Sequence, residues 1–167
     1  MSMNVEHINP FIESVHELFE TMLGINVSRG NIGVSTGSNN PREIMALIGL
    51  SGPARGAVSI SFPASTALRL VEQLLGVETR VIDDTVSDGV AEVVNIIAGS
   101  AKAKFVTDGG TPIELSLPTV FRGSDFRVDY PTQSVWLEVP FNTDLGPFSM
   151  RVTFDFEESK TKEGDSA

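Results

Sequence analysis

Glu92 and Asn95 stand three residues apart in the stretch DGVAEVVNIIAGSAKAKF (88–105), with a glycine following at 99. The carboxylate can pair with a cation. The amide can accept a hydrogen bond through its oxygen and donate through its NH₂. On an ideal helix, at about 100° per residue, Asp88, Glu92, Asn95, Gly99 and Lys102 fall on one stripe. Val90, Val94, Ile97, Ala101 and Phe105 take the opposite face, with Val93 and Ile96 at the flanks. Gly99 weakens a helix by about 1 kcal/mol relative to alanine. Two uses fit it: a bare backbone that another molecule approaches, or close packing of two helices. The stripe alone also fits the plain solvated face of an amphipathic helix.

Other chemistry is missing from the chain. There is no cysteine, which excludes disulfides, thiolate catalysis and zinc–thiolate sites. No Ser–His–Asp arrangement or metal-ligand cluster is visible. Gly49, Gly52 and Gly56 lie in a hairpin without the Gly-Lys-Ser/Thr that would hold phosphates. His7 and His16 lack a partner motif; His16 reads as a partly exposed helix residue and Trp136 as core or interface. The 22 acidic and 12 basic residues give a formal net charge of −10. That charge repels nucleic acid and anionic membranes and favours a protein partner that presents a cation. The N-terminus lacks the basic and apolar regions of a signal peptide, and no apolar run is long enough to span a bilayer. A cytoplasmic protein is expected.

The elements that must carry the stripe follow from periodicity and punctuation. Residues 8–24 have helical spacing, with Asn9 placed to cap the start, Pro10 in the first turn and Gly24 at the stop. Strands are expected over 25–35, 42–52 and 55–62, the last two joined by a turn at Gly52-Pro53. A second helix spans 64–76. The stripe helix is entered through Thr85 or Ser87. After the TDGGTP loop come strands over 113–121, 133–141 and 146–156, then a polar tail expected to be disordered over 158–167. The length suits a single domain, taken as 1–157. Its class is α+β: two pseudo-repeated halves, each a long helix followed by strands, with an antiparallel sheet packed against the helices.

The stripe helix resembles the signature helix of the CheC/CheX/FliM-type family of chemotaxis proteins. The shared core is E-x-x-N followed by a small residue, here Glu92-Val93-Val94-Asn95 and then Gly99. INPFIESVHELFETMLG, LSGPARGAVSISFP and ALRLVEQLLG also resemble CheX proteins in type and order, so the similarity covers about residues 7–156. CheC-like members carry the motif on both long helices. Here the first helix offers Glu17, then Glu20 where Asn is expected, then Gly24. The resemblance therefore implies one working site, as in CheX.

It implies a phosphatase acting on phosphorylated CheY, a response regulator that carries the phosphoryl group on an aspartate and supplies its own Mg²⁺ and lysine. Asn95 would orient the attacking water, and Glu92 would pair with that lysine. Asp88, Gly99 and Lys102 would meet the partner. No cofactor of the chain's own is expected, and a homodimer is. The alternative from another class is a non-catalytic CheC/FliM-like module that binds a response regulator.

Overall fold

The computed structural model describes residues 5–36, 38–39, 43–105, 112–124, 126, 128–129 and 135–156. The tail 158–167 and most of the TDGGTP loop lie outside the described residues.

The first half runs from a 3₁₀ turn (Val5–Ile8) into α1 (Asn9–His16) and a π-helical continuation (Glu17–Met22). It goes on through β1 (Val27–Arg29), β2 (Gly33–Thr36), β3 (Ser38–Asn39), β4 (Ile44–Ser51), β5 (Ala54–Phe62) and α2 (Ala64–Leu75). The second half is α3 (Asp84–Lys104), β6 (Glu114–Leu115), β7 (Thr119–Arg122), β8 (Val128–Asp129), β9 (Val135–Thr143) and β10 (Gly146–Phe156). Eight strands form one sheet along the path β1-β9-β10-β5-β4-β6, with β2 also on β9 and β7 also on β4. β3 and β8 pair separately. The strand pairs are antiparallel.

The halves interlock through this order. Each contributes a hairpin, β4–β5 or β9–β10, and the inner strands β5 and β10 join the hairpins over eight residue pairs, Ser61↔Ser149 to Ala54↔Phe156. The first half's β1 and β2 lie on the second half's β9, while the second half's β6 and β7 lie on the first half's β4.

Both outer strands are split where one was expected over 25–35 and over 113–121. From Arg29 to Gly33 is four steps, but their partners Phe141 and Glu138 are three apart. From Leu115 to Thr119 is again four steps, against three from Leu50 to Leu47. Each edge therefore carries one extra residue, a bulge that interrupts the edge ladder. Proline sits at each break. Pro140 has no N–H to offer the first edge, where Gly30 donates to its carbonyl at 2.8 Å. Pro118 ends the segment Ser116–Leu117 at the second, and Ser116 bonds Gly49 on either side of that residue's peptide.

The helices cover one face of the sheet. Ile44, Ala46 and Ile48 of β4, Val58, Ile60 and Phe62 of β5, and Phe148, Met150 and Val152 of β10 point into their core. Phe19, Phe62, Phe141 and Phe148 form a ring cluster with centroids 5.0–5.2 Å apart. The other face is not simply wet. Met45, Ser59, Trp136 and Arg151 are buried there, with the Arg151 guanidinium 5.2 Å from the Trp136 ring centre. Trp136, read as core or interface, is thus buried, but on the face away from the helices and outside the main core cluster.

Two helix details differ from the sequence reading. Asn9 does not cap α1: the 3₁₀ turn runs straight into it, Ile8 takes the N-cap position in helical geometry, and no side chain caps. Nor is 8–24 one regular α-helix. Beyond His16 the winding widens, Leu23 N–H bonds the Leu18 carbonyl at 3.1 Å, and Gly24 at φ +66° ends it. α2 follows its expected course and stops at Gly76 in the left-handed region.

The join between the halves is tight at Gly56. A Cβ there would overlap the Thr153 carbonyl oxygen and lie 2.6 Å from Phe154 Cα, both backbone atoms of β10. Gly56→Ala should therefore destabilise the chain by about 3 kcal/mol or more. Urea unfolding checks this, and a loss under about 1 kcal/mol would mean that β5 and β10 can part locally.

Candidate functional site

α3 begins earlier than the sequence suggested. Asp83, extended at φ −121°, is the N-cap, and its carboxylate accepts the Val86 N–H at 3.0 Å. Neither Thr85 nor Ser87 has that role; both lie inside the helix. An aspartate satisfies an orphan amide and also places negative charge at the positive end of the helix dipole.

The helix is two-faced as its periodicity required. Val86, Val90, Val93, Val94, Ile97, Ala98 and Ala101 are buried against the sheet and the other two helices. Val93, expected at a flank, is fully buried. Phe105, just past the end, packs between Phe11 and Phe154 at 5.7 and 5.8 Å. On the outer side Asp88 and Glu92 are exposed, and Asn95, Gly99 and Lys102 are half-buried. All five stripe residues thus share the open side of α3.

The two glycines of α3 divide the uses that one glycine left open. Gly89 is the packing glycine: a Cβ there would lie 2.7 Å from Val71 Cγ2 of α2. A Cβ on Gly99 would meet nothing within 4 Å. The space a side chain would take at Gly99 is open among the described residues.

The first helix does not repeat this arrangement. Glu17 and Glu20 fall in the π-helical segment, where three residues no longer make a near-full turn, so the two carboxylates diverge. Glu20 accepts from or pairs with His16 Nδ1 at 3.1 Å, four residues back along its own helix. Glu17 reaches across to α3, where Lys104 Nζ donates to Oε1 at 2.6 Å and Ser100 Oγ donates to Oε2 at 2.9 Å. The Lys104 hydrogen bond first and then the Ser100 bond hold the Glu17 carboxyl below its ordinary value; burial opposes them, and the Lys104 charge adds a smaller lowering. A lowered carboxylate pKa means that this tie is present above the ordinary carboxylate range and is lost as pH falls through the lowered value.

At the other end of α3, Arg122 of β7 donates to Asp84 Oδ1 at 3.1 Å and Ser87 Oγ at 3.2 Å. Neither this tie nor the Glu17 tie was read from the sequence. The i, i+4 spacing of Ser100 and Lys104 could have marked them as a pair, but nothing local points to residue 17.

Residues 44–142 match the family described as Chemotaxis phosphatase CheX, which is more than half of the chain. The chain belongs to the CheX family. The CheY-P phosphatase CheX of Thermotoga maritima is 28% identical over 127 residues, 75% of this chain and 81% of the relative. The chemotaxis protein CheX of Desulfovibrio desulfuricans has a solved structure similar to this CheX-family chain, with a TM-score of 0.80 and 27% identity over 90% of this chain and all of that one. The CheX of Borrelia burgdorferi, solved in a complex with CheY, BeF₃ and Mg²⁺, shares the fold at a TM-score of 0.74 and 23% identity, over 90% and 99% of the two chains. No helix among the described residues is long and apolar enough to cross a membrane.

The two glycines yield opposite expectations. Gly99→Ala should stabilise the chain by about 0.5–1 kcal/mol, since alanine favours the helix and the space is open. Gly89→Ala should cost about 1–2 kcal/mol, because β-branched Val71 must move. Urea midpoints of the two variants measured side by side decide it; a destabilised Gly99→Ala would show that Gly99 packs against something after all.

Proposed function

We propose that this chain hydrolyses the aspartyl phosphate of a CheY-type response regulator, with Asn95 and Glu92 carrying the chain's share of the chemistry. The observation that supports it most is the open stripe: a carboxylate and an amide one turn apart, followed by a glycine with open space where a side chain would be. Membership of the CheX family and the named activity of the Thermotoga relative supply the substrate class.

In this reading α3 lays its open side over the regulator's phosphorylated aspartate. Asn95 accepts a hydrogen bond from one water through its carbonyl oxygen and donates through its NH₂ to a phosphoryl oxygen. The water is then held in line with the bond that breaks. Its oxygen forms the new P–O bond, the aspartate leaves as a carboxylate, and inorganic phosphate carries the remaining protons. The amide contributes alignment rather than basicity. Glu92 pairs with the regulator's active-site lysine and sets the register of the helix. Asp88, one turn before Glu92, faces the same cationic rim. Gly99 admits the regulator's loops, and Lys102 meets an acidic part of its surface. The Mg²⁺ comes with the regulator, the partner and ion found with CheX in the Borrelia complex. The net charge of −10 speeds encounter with a cationic rim. A cytoplasmic homodimer is the state in which we propose that the chain acts.

The test is the decay of a phosphorylated CheY-type regulator with wild type and variants side by side. Asn95→Ala should lower kcat about 100-fold and leave KM within about threefold. Glu92→Ala should raise KM about tenfold and lower kcat as well. Wild-type decay rates in Asn95→Ala would remove the water-positioning role. No acceleration by the wild type with any regulator of its host would favour a non-catalytic binding module.

A further inference from the structure

Outside the buried face, side chains of other described elements fasten α3 at two places. At its N-terminal end Arg122 holds Asp84 and Ser87, and near its C-terminal end Glu17 holds Ser100 and Lys104. Glu92, Asn95 and Gly99 lie between the two ties. Gly99 has the poorest helix propensity after proline, and no side chain from elsewhere lies where its Cβ would be. The partner's approach needs that surface bare, so the helix cannot be stiffened there from its own open side. Ser100 and Lys104, spaced i and i+4, span the turn that follows, and one carboxylate grips both.

The place of Glu17 in the first half adds to this. It stands where the first helix would carry the counterpart of Glu92, with Gly24 seven residues on, as Gly99 is from Glu92. The π-helical winding turns it away from Glu20 and onto α3. The carboxylate that a second site would offer to a partner's cation is thus spent on this chain's own lysine.

We propose that Glu17 is a positioning residue for the phosphatase reaction: by gripping Ser100 and Lys104 it fixes the turn of α3 beyond Gly99 and so holds Asn95 in its productive orientation. The inference rests on the phosphatase reading above. It assigns to the first helix the task of bracing the site rather than forming a second one.

The experiment pairs single-turnover kinetics on the phosphorylated regulator with amide hydrogen exchange of the free chain, for wild type, Glu17→Ala, Glu17→Gln and the reversed pair Glu17→Lys/Lys104→Glu. Glu17→Ala should speed exchange across residues 99–104 and lower the catalytic rate roughly two- to fivefold, the range that a half-exposed ion pair can supply, with regulator affinity unchanged. Glu17→Gln, which keeps a bond to Ser100, should fall between, and the reversed pair should recover most of the rate. A lowered affinity at an unchanged rate would overturn the proposal by placing Glu17 in docking. Unchanged exchange in Glu17→Ala would overturn it by showing that the tie does not brace the helix, and so would faster exchange at an undiminished rate. If the wild type accelerates no regulator's decay while Glu17→Ala still speeds exchange, the phosphatase reading has failed and the catalytic role falls with it, although the brace itself stands.

Discussion

The pairing of β5 with β10 is the constraint on which the rest of the molecule depends. It is the seam between the two halves, it runs for eight residue pairs, and at Gly56 it admits no side chain at all. Without it neither hairpin has a partner on its inner edge. With it, the two hairpins become one platform, and each half's bulged strand closes the outer edge of the other half's hairpin. The exchange of edge strands means that each half completes its sheet only in the presence of the other. Both edges also end in bulges beside a proline, a device that blunts an exposed ladder.

The platform exists to bury one side of α3. The strands beneath present Val, Ile and Phe, and α3 answers with Val, Ile and Ala, small enough for α1 and α2 to pack beside it. Small side chains allow close approach, and at Gly89 the approach of α2 leaves room for no Cβ. Burial on one side rotates the helix to a single solution, and that solution leaves Asp88, Glu92, Asn95, Gly99 and Lys102 on the open side. The stripe's residues are thus oriented by hydrophobic packing on the opposite face of the helix.

The two long helices have diverged within a common plan. α3 keeps regular α-helical winding and so keeps a carboxylate and an amide on one side, one turn apart. The first helix widens into π-helical winding at the corresponding place, and its two carboxylates turn to different neighbours, His16 and Lys104. The same sequence spacing therefore gives a shared face in one helix and divergent side chains in the other. Spacing has chemical meaning only once the winding is known.

The sequence by itself determined that helices, hairpins and the stripe are present and roughly where they run. Apolar residues at helical spacing, Gly76 at the end of α2 and the Gly52-Pro53 turn are local signals, read within a few residues of one another. The two-faced nature of α3 was legible for the same reason, since a periodicity of about 3.6 residues fixes which side chains share a face. What only the tertiary structure decided concerns groups distant along the chain. Gly99 and Gly89 look alike in sequence, and only the presence of Val71 near one and of nothing near the other separates them. Glu17 meets Ser100 and Lys104 across 83 and 87 residues, and Arg122 meets Asp84 across 38. The bulges that split the two edge strands depend on the register against β9 and β4, which no single strand encodes. Local propensity is written in neighbouring residues, whereas register, winding and the partners of charged side chains are settled when the two halves close on each other.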